Sequence, residues 1–305
     1  MKKLKNILIQ FAISFTVFWS VFVWYAAWND VVSDGSSLTH TMWNDLVTQV
    51  ASVSSSPVLK WYVSWLTLSN DSWDVNNDIQ IDVWTATSSD GLQYIDLNTI
   101  MTKRLDAGWS AWDNGWWLAT GSKSSNTWYH VFVIRRTDGS VDAGFDTSVS
   151  ATNLLSTSGY NKYRRIGSIE TDGSNNIRGF LQEGDYFIYK NPVLDVSSGG
   201  WGYVGGTLTQ ISTPLGIKTL ALLAVGDNGD NTTYITSPEQ NNNAASLATG
   251  MFTNYSNENN GSDNNQGGVW FLPPRTNESS QVRIRTSGAQ NIYIATHGWI
   301  DNRTQ

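Results

Sequence analysis

A chain of 305 residues with 40% apolar and only 15% charged residues can bury a core, but under a surface of Ser, Thr and Asn more than ion pairs. A net charge of -7 argues against a nucleic-acid binder, because no Lys/Arg stripe for phosphate contacts is present, and the lack of cysteine excludes thiol catalysis, thiolate zinc sites and disulfide stapling. Three histidines, His40, His130 and His297, are too few and too scattered for a metal cluster, so no metal and no cofactor is expected.

The N-terminus, "MKKLKNILIQFAISFTVFWSVFVWYAA", sets Lys2, Lys3 and Lys5 before an apolar run from about Ile7 to Ala27. That is the charged and apolar order of a secretory signal, with cleavage near Ala26 or Ala27, although the run is also long enough for a single spanning anchor. Residues 1–27 are therefore expected to be a signal peptide or membrane anchor. Residues 28–57 read as a helical stem and linker. The triplet W-N-D occurs at 28–30 and 43–45, and Thr39 is placed to cap a helix with Met42, Trp43, Leu46, Val47 and Val50 on one face. The Ser-rich "ASVSSSP" ends the stem.

From Val58 onward the chain reads as strand and turn. The run "WYHVFVIRR" (128–136) leads through the D-G turn "TDGS" into "VDAGFDTS". "RRIGSIE", "TDGSNN" and "IRGFLQ" repeat that logic, and "QEGD" turns the chain into "YFIYKNPVLDV". A Gly/Ser/Thr-rich tract at 197–213 suggests a boundary between a β domain at 58–197 and a second β region at 198–305. Strands are expected in "GIKTLALLAVGD", "NTTYITS", "GGVWFLPPR", "SQVRIRTS" and "NIYIATHGWID", with "SNENNGSDNNQGG" as an exposed loop. Helical periodicity is almost absent beyond residue 50. The expected fold is mainly β: a β-sandwich or jelly-roll-like body behind a short helical stem.

The segments "MTKRLDAGWSA", "LATGS", "NTWYHVFVIRR", "YNKYRRIGSIETDGSNNIRGFLQEGDYFIYKNPVLDV", "QVRIRTS" and "GWIDNR" resemble a family of phage tail and tail-fibre-like structural proteins, with gaps, over about residues 58–303. The run from Tyr160 to Val196 is the most specific part. The resemblance implies a β-rich virion or surface component involved in attachment, and it transfers no catalytic residue. The signal and the W-N-D helix resemble exported surface proteins of uncultured bacteria, which favours a secreted, cell-borne relative.

The segment "LDAGWSAWDNGWWLATGS" (105–122) poses a separate problem, with four tryptophans in what reads as a glycine turn. In the resembled family this stretch is rich in alanine and glycine. Trp109, Trp128 and Trp299 fall where the family also carries tryptophan, whereas Trp112, Trp116, Trp117, Trp73 and Trp84 fall where glycine is expected. Trp61 and Trp65 are weaker cases of the same kind, and glycine in place of Trp24 would give the small-x-small pattern of a signal cleavage site. Glycine reaches positive φ freely, while an indole in a tight turn exposes apolar surface to water. Some bacteria read UGA as glycine, and decoding that codon as tryptophan would print the excess. The opposing reading is a lectin, in which Trp112, Trp116 and Trp117 stack on sugar rings and Asp113 and Asn114 supply hydrogen bonds. The two readings differ in whether these indoles are exposed singly or share a groove.

Other constellations carry less. "DVNND" (74–78) alternates oxygen ligands like the start of a calcium loop, but Ile79 stands where that loop needs glycine, so a polar turn is expected. Asp138, Asp142 and Asp146 read as turn and solvated strand residues. Glu183 and Asp185 flank a turn glycine, no G-x-S-x-G is present, and His130 and His297 read as packed or edge histidines. Arg135-Arg136 and Arg164-Arg165 each place one guanidinium on either strand face, where they are expected to fix register, with Arg136 able to meet a carboxylate.

The expected function is a non-enzymatic, secreted or cell-surface structural and adhesion protein with no catalytic residues. Its partner would be a cell-surface glycan or envelope protein, bound through a homo-oligomer. Nucleic acid is not expected as a partner, and membrane contact would come only through an uncleaved N-terminus. The alternatives are the lectin and, third, a polysaccharide hydrolase.

Overall fold

The computed structural model describes residues 44–45, 62–64, 66–108, 116–118, 122–198, 202–228, 231–246, 248–257, 265–268 and 273–303. The chain divides into two compact units, Met1–Pro57 and Val58–Gln305. In the first, Asn44 and Asp45 are helical, and the rest of the signal segment and stem lies outside the described residues. Among the described residues, no helix is long and apolar enough to cross a membrane.

The second unit is mainly β, built from mostly antiparallel sheets packed as in a sandwich. A seven-stranded sheet takes the order β1 (Leu68–Asn70), β2 (Asp78–Ile81), β5 (Met101–Gly108), β6 (Trp116–Leu118), β8 (Val141–Asp146), β7 (Trp128–Arg135), β9 (Lys162–Glu170). Within it, β7 lies between β8 and the edge strand β9 and is buried over nearly its whole length, which is why its sequence is an almost continuous apolar run without alternation. The hairpin from β7 to β8 closes on the T-D-G-S turn, with Gly139 at φ 92° and the Arg136 N–H donating to the Ser140 carbonyl at 2.9 Å. A two-stranded ribbon, β3 (Trp84–Thr87) and β4 (Tyr94–Leu97), adds Ala86, Ile95 and Leu97 to the same core.

One helix departs from the sequence expectation. The segment α1 (Thr152–Ser158) lies in the stretch after β8, and Leu154 enters the core. With seven residues it is too short to display a 3.6-residue period. The Asp146 carboxylate takes over its N-terminus, accepting from the Leu154 N–H at 2.8 Å and from Asn153 Nδ2 at 2.9 Å.

A four-stranded sheet runs β10 (Phe180–Glu183), β11 (Tyr186–Ser198), β18 (Asn291–Ile300), β13 (Leu220–Asn228). A five-stranded sheet runs β12 (Thr207–Gln210), β17 (Gln281–Thr286), β14 (Thr232–Thr236), β15 (Asn254–Asn257), β16 (Asn265–Gly268). The long strands β11 and β18 serve two cores. Phe187, Tyr189 and Trp299 join the core of the seven-stranded sheet, and Val196, Ile292 and Ile294 join Ile211, Ile235, Val282 and Ile284 of the five-stranded sheet.

A bulge makes this double service possible. On β18 the buried positions are 292, 294 and 296, then 298 and 299 past an irregularity opposite β13, and the buried Asp301 follows the strand. Gly298 sits there at φ 156°, and a Cβ at this position would come 2.0 Å from the Phe187 carbonyl oxygen. Beyond it, Trp299 stacks on Phe187 at 5.1 Å and meets Trp128 and Tyr189 edge-on at 5.3 and 5.4 Å, which ties β7, β11 and β18 together.

Polar groups are also buried. Lys103 Nζ lies 2.7 Å from Asp142 with both side chains fully buried. The Asp142 carboxylate also accepts from the Ala143 N–H at 2.8 Å and from the Tyr160 hydroxyl at 3.3 Å. Arg136 lies 4.4 Å over the Tyr160 ring, a cation–π contact.

Candidate functional site

Trp112, Asp113 and Asn114 lie outside the described residues, as do Trp24, Trp61, Trp65 and Trp109. Trp116 and Trp117 fall in β6, a short strand between β5 and β8, of which the backbone alone is described. The remaining tryptophans of the comparison separate sharply. Trp73, in the turn before β2, is 96% exposed and Trp84 is 50% exposed, whereas Trp128 and Trp299 are 7% and 1% exposed. Trp84 also carries φ 148°, a backbone conformation that glycine adopts freely and a residue with a Cβ does not.

The "DVNND" segment folds as a turn. Asp74 accepts from Asn77 Nδ2 at 2.8 Å and from the Asn76 N–H at 3.3 Å, and its carbonyl accepts from the Asp78 N–H at 2.9 Å. Burial, followed by the nearby Asp74 charge, pushes Asp78 up to about 6. Among the described residues, no group of three or more potential metal ligands comes together.

His130 and Ser168 meet across β7 and β9, with the ring Nδ1 2.9 Å from Ser168 Oγ. Both residues are 1% exposed. Burial, with Arg165 nearby, lowers the histidine to about 3, so at neutral pH it is an uncharged packing group. The carboxylate that would complete a relay is engaged elsewhere: Asp301 accepts from Arg165 Nη1 and Nη2, both at 2.6 Å. A nucleophile needs access to substrate, and Ser168 has none at this burial.

The histidine has a pH signature. Unfolded, it protonates near 6.5, and folded only near 3, so between these values the folded chain holds fewer protons. Its contribution to stability is complete above about 6.5 and declines as pH falls toward 3. Replacing His130 with Gln should flatten that part of the profile, measured as urea midpoints at about pH 7 and about pH 4.5. An unchanged slope would refute the assignment.

A cleft of about 530 Å³ opens at the edge of the seven-stranded sheet. The edge strand β9 supplies Arg164 and Arg165, and the segments flanking β13 and β17 supply Lys218 and Arg275. Arg164 is 2% exposed, with Nε donating to the Thr87 carbonyl at 2.6 Å. Burial, then repulsion from Arg165, lowers its affinity for a proton. Lys218 is held by Glu239 at 2.8 Å. The acidic members are Asp301, locked by Arg165, and the exposed Glu278. The β9 edge is closed nearby, where Ser89 N–H and Oγ donate to the Tyr163 carbonyl at 2.8 and 3.0 Å and Lys162 pairs with Asp90.

From the sequence, Arg164-Arg165 is expected to fix strand register. Arg165 does bind a carboxylate, but one 136 positions away at the end of β18. Lys218 and Arg275 carry no local motif, and only the fold brings them to β9. Comparison with protein-family models, with curated proteins and with solved structures finds no match.

Proposed function

We propose that this chain is a non-enzymatic, exported surface component that attaches to a cell-surface glycan or envelope protein, in line with the tail-fibre-like resemblance of residues 58–303. The observation that carries the reading is the make-up of the β9 cleft. Its polar groups are mainly guanidiniums and an ammonium, of which Arg164, Arg165 and Lys218 are held by neighbours, and such groups recognise anions. Such attachment gains strength when an oligomer makes many weak contacts at once. The test is saturable retention of the labelled full-length protein on isolated envelopes, with release of reducing sugar followed in parallel. Saturable retention without sugar release is expected, and turnover of an envelope polysaccharide would overturn the reading in favour of a hydrolase.

The exposed Trp73 favours a second reading, a lectin that grips sugar rings through indoles at 112, 116 and 117 with Asp113 and Asn114. Against it stands the backbone at Trp84, and we infer that positions 73 and 84, with 112, 116 and 117, are read as glycine by the cell from UGA codons. On that basis Trp84→Gly should raise stability by about 1 kcal/mol, because the relieved backbone strain exceeds the entropy cost of glycine in the unfolded chain. Urea denaturation checks this, and a loss of stability would mean that the indole at 84 packs usefully. UGG at the doubled codons 116 and 117, with glycan binding that disappears in Trp116→Gly, would establish the lectin instead.

A further inference from the structure

We propose that the β9 cleft binds the carboxylate of an acidic saccharide, with Arg275 facing the anion. This rests on the attachment reading above and names the chemistry of its ligand.

The first support is charge. Four cationic residues, Arg164, Arg165, Lys218 and Arg275, line the cleft against three carboxylates, Asp301 and Glu278 in its wall and Glu239 on Lys218, in a chain whose net charge is -7. A positive recess in a negative surface concentrates anions at that recess and repels them elsewhere. The second support is construction. Arg165 is held by Asp301 and Arg164 by the Thr87 carbonyl, so neither loses much side-chain freedom when an anion arrives. Arg275 stands exposed, its backbone fixed by the Ser237 hydroxyl at 2.8 Å, and among the described residues its guanidinium makes no hydrogen bond or ion pair. A planar fork of N–H donors matches a carboxylate edge to edge, as the Arg165–Asp301 pair already does inside the fold.

The third support is the remaining lining. The volume of about 530 Å³ is in the range of small-ligand sites, with room for a saccharide unit of a longer chain. Ser89 and Asn302 offer polar groups to ring hydroxyls, and Val149 and Ile217 offer apolar surface to the C–H face of a ring. A cleft built only for a bare anion would need neither.

The test is calorimetric titration of the full-length protein with a short oligogalacturonate, its methyl ester and inorganic phosphate. The free acid should bind, and the ester should bind at least about tenfold more weakly, because each charge-assisted hydrogen bond contributes more than a neutral one. Arg275→Glu should weaken the acid by a similar factor with an unchanged melting temperature, and Arg275→Lys should recover part of the affinity. Equal binding of acid and ester, no effect of Arg275→Glu, no binding in any arm, or phosphate binding as tightly as the oligomer would each overturn the proposal. Envelope retention that survives Arg275→Glu would overturn this site while leaving the attachment reading in place. Hydrolysis of the bound oligomer would support the site and overturn the non-enzymatic reading.

Discussion

Lys103→Met should destabilise the β body by about 3–5 kcal/mol, because it leaves the Asp142 carboxylate buried without its cation. The cost does not come from a strong attraction gained. Moving two charges out of water is expensive, and their attraction at 2.7 Å does little more than offset that expense. Removing one partner therefore strands the other. The double replacement Lys103→Met with Asp142→Leu should recover part of the loss, but not all, since the Tyr160 hydroxyl and the Ala143 N–H then lose an acceptor. Urea titrations of the two single variants and the double variant measure the coupling directly. A near-zero effect of Lys103→Met would show that the ammonium is not buried as described.

Gly298→Ala should cost more than about 4 kcal/mol or prevent folding, even though it adds one methyl group. That methyl would stand 2.0 Å from the Phe187 carbonyl oxygen and 2.9 Å from the Ile188 Cα, and both are backbone atoms that cannot swing away. The φ of 156° adds strain of its own. Relief would require β11 and β18 to separate at the bulge, which would pull Trp299 off Phe187. Gly226→Ala on β13 is the control. There the nearest atom, Tyr293 Cβ, is 4.0 Å from the added carbon, so the change should stay within about 1 kcal/mol. Circular dichroism in the tryptophan region and a denaturant midpoint separate the two variants. Equal stability of both would refute the account of the bulge.

Local chemistry was readable in the sequence. The D-G and E-G turns stand where glycine takes positive φ, at Gly139 and Gly184, and the apolar run 128–134 is the buried strand β7. Long-range pairing was not. Nothing near Tyr186 indicates that β11 pairs with a strand about one hundred residues on, and nothing in "MTKRLD" separates the fully buried Lys103 from the half-exposed Arg104. Side-chain burial is set by which strands adjoin, and that is fixed by sheet order, not by neighbours in the chain. The cleft was hidden for the same reason. Arg164-Arg165 was visible as a pair, but its function as a wall depends on Lys218 and Arg275 arriving from distant connections.

The shared strands β11 and β18 have a thermodynamic consequence. Each contributes side chains to both apolar clusters, so neither cluster can come apart without fraying a ladder on which the other depends. The region from Val58 to Gln305 should therefore melt as one cooperative unit, with calorimetric and van't Hoff enthalpies equal. Among the described residues, the same continuity means that a load applied at either cluster passes into the other through the shared ladders.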